Sequence, residues 1–92
     1  MQNGKKKTVL KSLPSLVGSG SFHVEIDRCE GGFSVIVHGV SGISEFSHSL
    51  AVLSINSGSV IISGSDLSVA VYEGMAAEIC GGVFDVRLEF KN

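Results

Sequence analysis

Residues 58–90 alternate apolar side chains with small or polar ones, and this alternation constrains the fold more than any other feature of the chain. The apolar places are held by Val60, Ile62, Leu67, Val69, Val71, Phe84, Val86, Leu88 and Phe90. A period of two puts one face of a strand in the core and leaves the other face in water. Because Gly64, Gly74 and the pair Gly81–Gly82 interrupt the runs, we predict about three or four short strands joined by turns.

The preceding part of the chain repeats this pattern. Phe22, Val24 and Ile26 are predicted to point inward along one strand and Phe33, Val35 and Val37 along the next. A bend is expected at 39–42, a short strand at 43–46, a loop at 47–49 and a strand near the sheet centre at 50–56. The pattern predicts a single small antiparallel β-sandwich with about seven or eight short strands. A β-solenoid is the alternative, because residues 60–71 resemble a repeat.

The composition fits one folded domain that has a partner. Apolar residues make up 43% of the 92 residues and charged residues only 17%, which argues against disorder and favours a second copy or another protein covering part of the surface. No apolar run is long enough for a membrane-spanning helix, and no signal-peptide core follows the basic start. We therefore expect a cytoplasmic protein.

The basic residues are concentrated at the N-terminus. Residues 1–18 are predicted to form a leader or strap and residues 19–92 the β domain, with a short helix or irregular strap at 5–13 that Pro14 ends. The leader carries four of the seven basic residues: Lys5, Lys6, Lys7 and Lys11. These lysines predict either a solvated tail or a peripheral contact with an anionic surface. All nine acidic residues follow from Glu25 onward, so nucleic acid is not an expected partner.

The residues with reactive side chains do not form a recognisable site. Cys29 and Cys80 lack zinc-ligand spacing and are predicted to be free thiols, although a disulfide between them stays open. His23, His38 and His48 are predicted to be surface residues. No serine lies in a nucleophile elbow and no glycine-rich stretch opens a helix. We therefore predict a protein that is not an enzyme, with no catalytic, cofactor-binding or metal-binding residues.

Three apolar residues lie at strand positions where the alternation predicts a polar, outward-facing side chain. These residues are Ile36, Ile61 and Tyr72, and we predict that they form an interface.

The order of the motifs along the chain is more specific than any one of them. Leu13-Pro14-x-Leu16 is followed by Gly42-Ile43-x-Glu45-Phe46-Ser47, then by Gly58-x-Val60-x-Ile62-x-Gly64-x-x-Leu67-x-Val69, and last by Glu78-Ile79-x-Gly81-x-Val83-x-x-Val86-x-Leu88. This order resembles the YabP/YqfC family of sporulation proteins of endospore-forming Firmicutes, and its YqfC-like branch in particular. The resemblance extends from about residue 8 to residue 90.

The resemblance implies an immunoglobulin-like β-sandwich and a non-catalytic, structural role in the assembly of the spore or its coat. It implies no cofactor. It also implies a protein partner, of which a YqfD-like membrane protein is one candidate and a second copy of the chain another. The protein would then be cytoplasmic in the sporulating cell and held at a membrane or at the spore through its partner. The alternative function is a β module that binds a small ligand or a glycan.

Overall fold

The computed structural model describes residues 22–91. They form the strands β1 (His23–Cys29), β2 (Gly32–His38), β3 (Val40–Phe46), β4 (Leu50–Ile55), β5 (Gly58–Glu73) and β6 (Ala76–Phe90). All neighbouring strands are antiparallel, in one open sheet of order β1-β2-β6-β5-β4-β3. The predicted all-β, antiparallel class is confirmed, and the parallel-stacked solenoid is excluded. The predicted leader or strap, with its four lysines, lies outside the described residues, and the immunoglobulin-like sandwich stays a prediction.

The prediction of several short strands in residues 58–90 is wrong. The stretch forms two long strands of 16 and 15 residues that pair with each other. Gly74 does make a turn, but Gly64 and the pair Gly81–Gly82 lie inside the strands. Glycine is required there because the backbones of β5 and β6 approach each other closely. A Cβ atom built on Gly64 would lie 2.4 Å from the carbonyl oxygen of Gly82. Glycine inside a strand often marks such an approach rather than a turn.

The long hairpin bends where its register shifts. Shifts occur between Ser63 and Gly64, between Ser65 and Ser68, and between Val69 and Val71. Asp66 has a φ of 52° within the second of them, a backbone conformation in which Asp is enriched among non-glycine residues. Extra residues on one strand of a pair bend it and increase its twist, so the hairpin curves along its length.

The curved sheet encloses one hydrophobic core. The core side chains, each at most 3% exposed, come from five of the six strands: Val35, Val37, Val40, Ala51, Leu53, Ile55, Val60, Ile62, Leu67, Ala77 and Ile79. A flat sheet covered by no helix would leave both faces in water. Burial of these residues therefore follows from the bends of β5 and β6, which bring one face of the sheet around a common interior.

Backbone hydrogen bonds outside the ladders fix the ends of the strands. The predicted bend at 39–42 is limited to Gly39, because β3 already begins at Val40. The backbone N–H groups of Gly39 and Val40 both donate to the carbonyl oxygen of Met75, at 2.8 and 2.9 Å. The predicted loop at 47–49 is confirmed, and it accepts bonds from Gly64 and Leu67. These contacts join the two loops to the bent hairpin.

Candidate interaction surface

The second half of β6 carries an exposed apolar surface. Phe84 is 77% exposed, Leu88 41% and Phe90 55%, although the alternation predicts that all three lie in the core. The prediction fails because β2 pairs with β6 only as far as Gly81. Beyond it, residues 83–90 have β5 as their only neighbour among the described strands, so this half of β6 is an edge with little to cover its side chains.

A bulge brings Phe84 to the outside. Val83 pairs with Gly64 and Asp85 with Ser63, so Phe84 is the extra residue on β6 with no partner on β5. A bulge redirects the side chain of its unpaired residue, which accounts for the exposure of this large aromatic ring. The double glycine just before it is the sequence signal that could have indicated a bulge here instead of a turn.

An open groove of about 300 Å³ lies beside this bulge. Its lining is apolar except for one carboxylate: Ile26, Phe33, Val83, Phe84, Asp85 and Val86. Ile26 was predicted to point into the core, but it lies on the edge strand β1 and is 53% exposed. The groove is therefore bounded by β1, the beginning of β2 at Phe33 and the second half of β6; of these, β1 and the second half of β6 each lack a neighbour on one side within residues 22–91.

Aromatic contacts mark the two ends of this region. The rings of Phe22 and Phe90 lie 5.9 Å apart between centroids, at an angle of 46°. At the other end the guanidinium carbon of Arg28 lies 5.5 Å from the centroid of the Phe33 ring, within the range of a cation–π interaction. The apolar surface thus extends along β1 and β6 between an aromatic ring pair at one end and a cation–π contact at the other.

The three residues predicted to form an interface are not neighbours in the sheet. Ile36 lies between Glu25 and Glu78 in the register. Ile61 lies in the other part of the sheet, between β4 and the second half of β6, and Tyr72 is 51% exposed near the β5–β6 turn. An interface made by these three stays a prediction, but they do not form one patch.

A polar cluster lies on the face of β2 and β6 opposite the core. The Ser34 hydroxyl donates to a carboxylate oxygen of Glu78 at 2.5 Å, and the Cys80 sulfur lies 3.6 Å from the same oxygen. Burial raises the pKa of the Cys80 thiol, the Ser34 hydroxyl opposes this, and the Glu78 carboxylate adds to the rise. A cysteine nucleophile needs a lowered pKa, so this environment works against reactivity of Cys80. Both Cys29 and Cys80 are free.

The state of Cys80 can be tested by alkylation. We expect Cys80 to react with iodoacetamide more slowly than a cysteine in an unstructured peptide. Because its pKa is raised, its rate should go on increasing with pH after the rate of the peptide has levelled off. Mass spectrometry of the modified peptide, from pH 7 to 11 in steps, measures the profile. The same measurement in denaturant is the control, and a native profile that coincides with it would contradict the assignment.

The histidines take the predicted surface positions. His23 and His38 are opposite each other on β1 and β2, with ring centroids 5.8 Å apart, and His48 lies exposed in the β3–β4 loop. His23 is 3.1 Å from Glu25, at an exposed site on the edge strand. Within residues 22–91, no three or more His, Cys, Asp and Glu side chains are grouped so that they could hold a metal ion.

No family model, curated protein or solved structure matches this chain. Membership of the YabP/YqfC family therefore stays a prediction that depends on the order of the motifs. In the described part of the chain, none of the elements is a helix that is long and apolar enough to cross a membrane.

Proposed function

We propose that this protein is a non-catalytic assembly module that binds a protein partner through the apolar surface formed by the groove and the second half of β6. The observation that carries this proposal is the 77% exposure of Phe84 on a bulge beside an apolar groove. Aromatic side chains, phenylalanine among them, are enriched in the cores of protein interfaces. Large exposed apolar side chains that adjoin one another mark an interaction site more often than a chance surface feature.

We also propose, from the motif resemblance, that the assembly takes place during spore formation and that a YqfD-like membrane protein is the partner. The protein would then act in the cytoplasm of the sporulating cell, at the membrane or spore surface where this partner lies. A second copy of the chain is the other candidate partner. The shared core and the bends at Gly64 and Gly81 support an immunoglobulin-like sandwich as the finer description of the fold.

The Phe84→Ser variant tests this function. Full-length tagged protein would be purified from detergent-solubilised membranes of sporulating cells, and the recovery of co-purified proteins compared between wild type and variant. Since an aromatic anchor at the centre of an interface contributes about 2 kcal/mol or more, recovery of the partner should fall at least about tenfold. The fold should be unchanged, because the ring is mostly in water already.

Phe46→Ser is the matched control, since Phe46 is an exposed phenylalanine (39%) on the distant edge strand β3. It should leave the recovery of the partner as in the wild type. Equal recovery with both variants would show that the surface around Phe84 is not the interface. Sedimentation of the purified protein distinguishes self-association from binding of another protein.

The size of the groove favours one second function. About 300 Å³ is at the small end of the range of ligand pockets, so a small apolar molecule is the alternative occupant. Ligand sites usually add several converging polar groups to an apolar lining, whereas this groove offers only Asp85. A rise in melting temperature with a small ligand, abolished by Phe84→Ser, would favour this function over assembly.

A further inference from the structure

We propose that two copies of this chain associate face to face through the side of the sheet that β3, β4, the first half of β5 (residues 58–64) and the second half of β6 turn away from the core. The middle of this surface, which we name the outer face, is formed by Leu50, Val52 and Ile61. The inference goes beyond the proposed function and does not depend on it, because the surface around Phe84 is a different one.

One row of the register crosses the whole outer face. Glu45 is opposite Val52, and Val52 is opposite Ile61. Ile61 in turn is opposite Arg87. Since directly opposite residues on antiparallel strands point to the same face of a sheet, these side chains stand next to one another. The row therefore has an acid at one end, a base at the other and two apolar residues between them.

The two charges of this row are too far apart to pair within one chain. Glu45 and Arg87 are separated by three strand spacings, or about 14 Å at about 4.8 Å per spacing. Both side chains are exposed. Arg87 has one loose contact with Asp85, at 4.0 Å, and Glu45 forms no ion pair with any of residues 22–91. Both charges are thus accessible to a second molecule.

The middle of the outer face suits close packing of a second sheet. Leu50, Val52 and Ile61 are half-buried, and the core of a protein interface is depleted of charged residues as this middle is. The neighbouring outward positions on β4 and β5 carry short, half-buried hydroxyl side chains: Ser54, Ser59 and Ser63. Side chains of this size let two sheets stack at the usual spacing of about 10 Å.

A two-fold axis parallel to the strands makes the outer face complementary to itself. When the axis lies between β4 and β5, Glu45 of one copy faces Arg87 of the other, and Val52 faces Ile61 of the other. Dimers with two-fold symmetry use the same surface on both copies. A two-fold axis perpendicular to the strands and centred on this row would set each charge over its own like. The charge pattern therefore selects the axis parallel to the strands.

The remaining acids of the outer face are also placed without repulsion. Asp85 and Glu89 lie on β6 on either side of Arg87. The same axis sets Glu89 over Ser44 of the second copy, because the Ser44 hydroxyl bonds to Ser54 in the row that ends at Glu89. A hydroxyl can donate a hydrogen bond to a carboxylate. Since β3 contains no second acid, Asp85 meets no like charge there.

The dimer is expected to be weak and reversible. Four strands of about six residues span roughly 20 by 20 Å, which is smaller than the standard interface of about 800 Å² per partner. Exposed ion pairs add little stability each, but they decide which surfaces can meet. Association should therefore depend on protein concentration and be sensitive to reversal of either charge.

Charge reversal in the full chain tests the proposal. Sedimentation equilibrium would measure the dimer dissociation constant of the wild type and of the Glu45→Arg and Arg87→Glu variants. Each variant sets like charges over one another at both ends of the dimer, so each should raise the dissociation constant at least about tenfold. An equal mixture of the two variants should restore association as a heterodimer, because every charged contact then joins an arginine to a glutamate.

Arg28→Glu is the matched control, since Arg28 is an exposed arginine on β1, in the other part of the sheet. It changes the net charge as Arg87→Glu does and should leave the dissociation constant as in the wild type. Equal weakening by both variants would assign the effect to net charge and overturn the proposal. A wild type that stays monomeric at about millimolar concentration, or a mixture that fails to associate, would also overturn it.

The Phe84→Ser variant separates this inference from the proposed function. Phe84 lines the groove and has no partner in the rows of the outer face, so its replacement should leave the dissociation constant of the dimer unchanged. Self-association that is lost in Phe84→Ser but kept in both charge-reversal variants would place the second copy at the groove. That result would refute the outer-face dimer and leave the proposed function standing.

Discussion

The Gly64→Ala variant should lose about 3 kcal/mol or more of its free energy of unfolding. The added methyl group would lie 2.4 Å from the carbonyl oxygen of Gly82 and 2.9 Å from the Cα atom of Val83. Both are backbone atoms of β6, so no side-chain rotation can relieve the contact. Either β5 and β6 separate at the bend or the bulge rearranges, and both changes disturb the core around Ile62 and Leu67. Urea denaturation followed by circular dichroism measures the loss.

Gly42→Ala is the control for the change of residue type. Gly42 lies on β3, and a Cβ atom built there meets nothing within 4 Å. The substitution should therefore change the free energy of unfolding by no more than about 0.5 kcal/mol. If Gly64→Ala proved as mild as Gly42→Ala, β5 and β6 would not approach each other as closely as the structure has them.

The second large effect is expected from Ile62→Ala, which should cost about 2–5 kcal/mol of the free energy of unfolding. Ile62 is fully buried at the centre of β5, between Ala51 on β4 and Val86 on β6. Truncation removes buried methyl and methylene groups and leaves a cavity that the surrounding strands can fill only in part. Since a small domain has about 5–15 kcal/mol in total, this loss is a large share of the stability and should lower the melting temperature by several degrees or more. Thermal and urea unfolding both measure this loss.

Ile61→Ala provides the comparison on the other face of the same strand. Ile61 is half-buried between Val52 and Arg87, so its truncation opens no closed cavity and should cost about 1 kcal/mol. If Ile61→Ala lost more free energy of unfolding than Ile62→Ala, the face of β5 opposite the core would be the more tightly packed one in solution, for example through self-association at Ile61.

The alternation of residue types was sufficient to locate the first four strands, β1 to β4, but not the two long strands that follow them. Val35 and Val37 are buried as predicted, Phe33 is only half-buried and lines the groove, and the loop at 47–49 lies where the polar residues predict it. These features depend on neighbours within about ten residues, and a period of two reports them directly. The antiparallel class follows from the same local pattern, because short turns join successive runs.

The length of the strands was harder to predict, because glycine occurs both in turns and at positions inside strands where two backbones approach closely. Gly64 and Gly81 mark positions where two backbones nearly touch, whereas Gly74 marks a turn, and nothing local in the sequence separates these cases. The distinction depends on which strand lies alongside, and this is a tertiary property. Predicting two long strands would have required knowing that residues 64 and 82 are neighbours.

The candidate site was missed for a related reason. Phe84, Leu88 and Phe90 have the same spacing as core residues, so periodicity places them on one face. The bulge at Phe84, which periodicity does not reveal, takes this side chain off the face of Leu88 and Phe90. Whether this face is covered depends on where β2 stops pairing with β6. The sequence therefore identifies the apolar face but not its exposure, and an edge strand with an apolar face looks like a buried one.

The two central strands of the sheet are the last two in the chain, and this order has a consequence for biosynthesis. Before β5 is made, the strands already synthesised can form only two separate hairpins, β1–β2 and β3–β4; β5 then adds to β4, but only β6 joins the two parts of the sheet. A lone two-stranded hairpin is at best marginally stable in water. We therefore expect the common core to form only after β6 has left the exit tunnel, so that apolar segments of the nascent chain are exposed to chaperones until then.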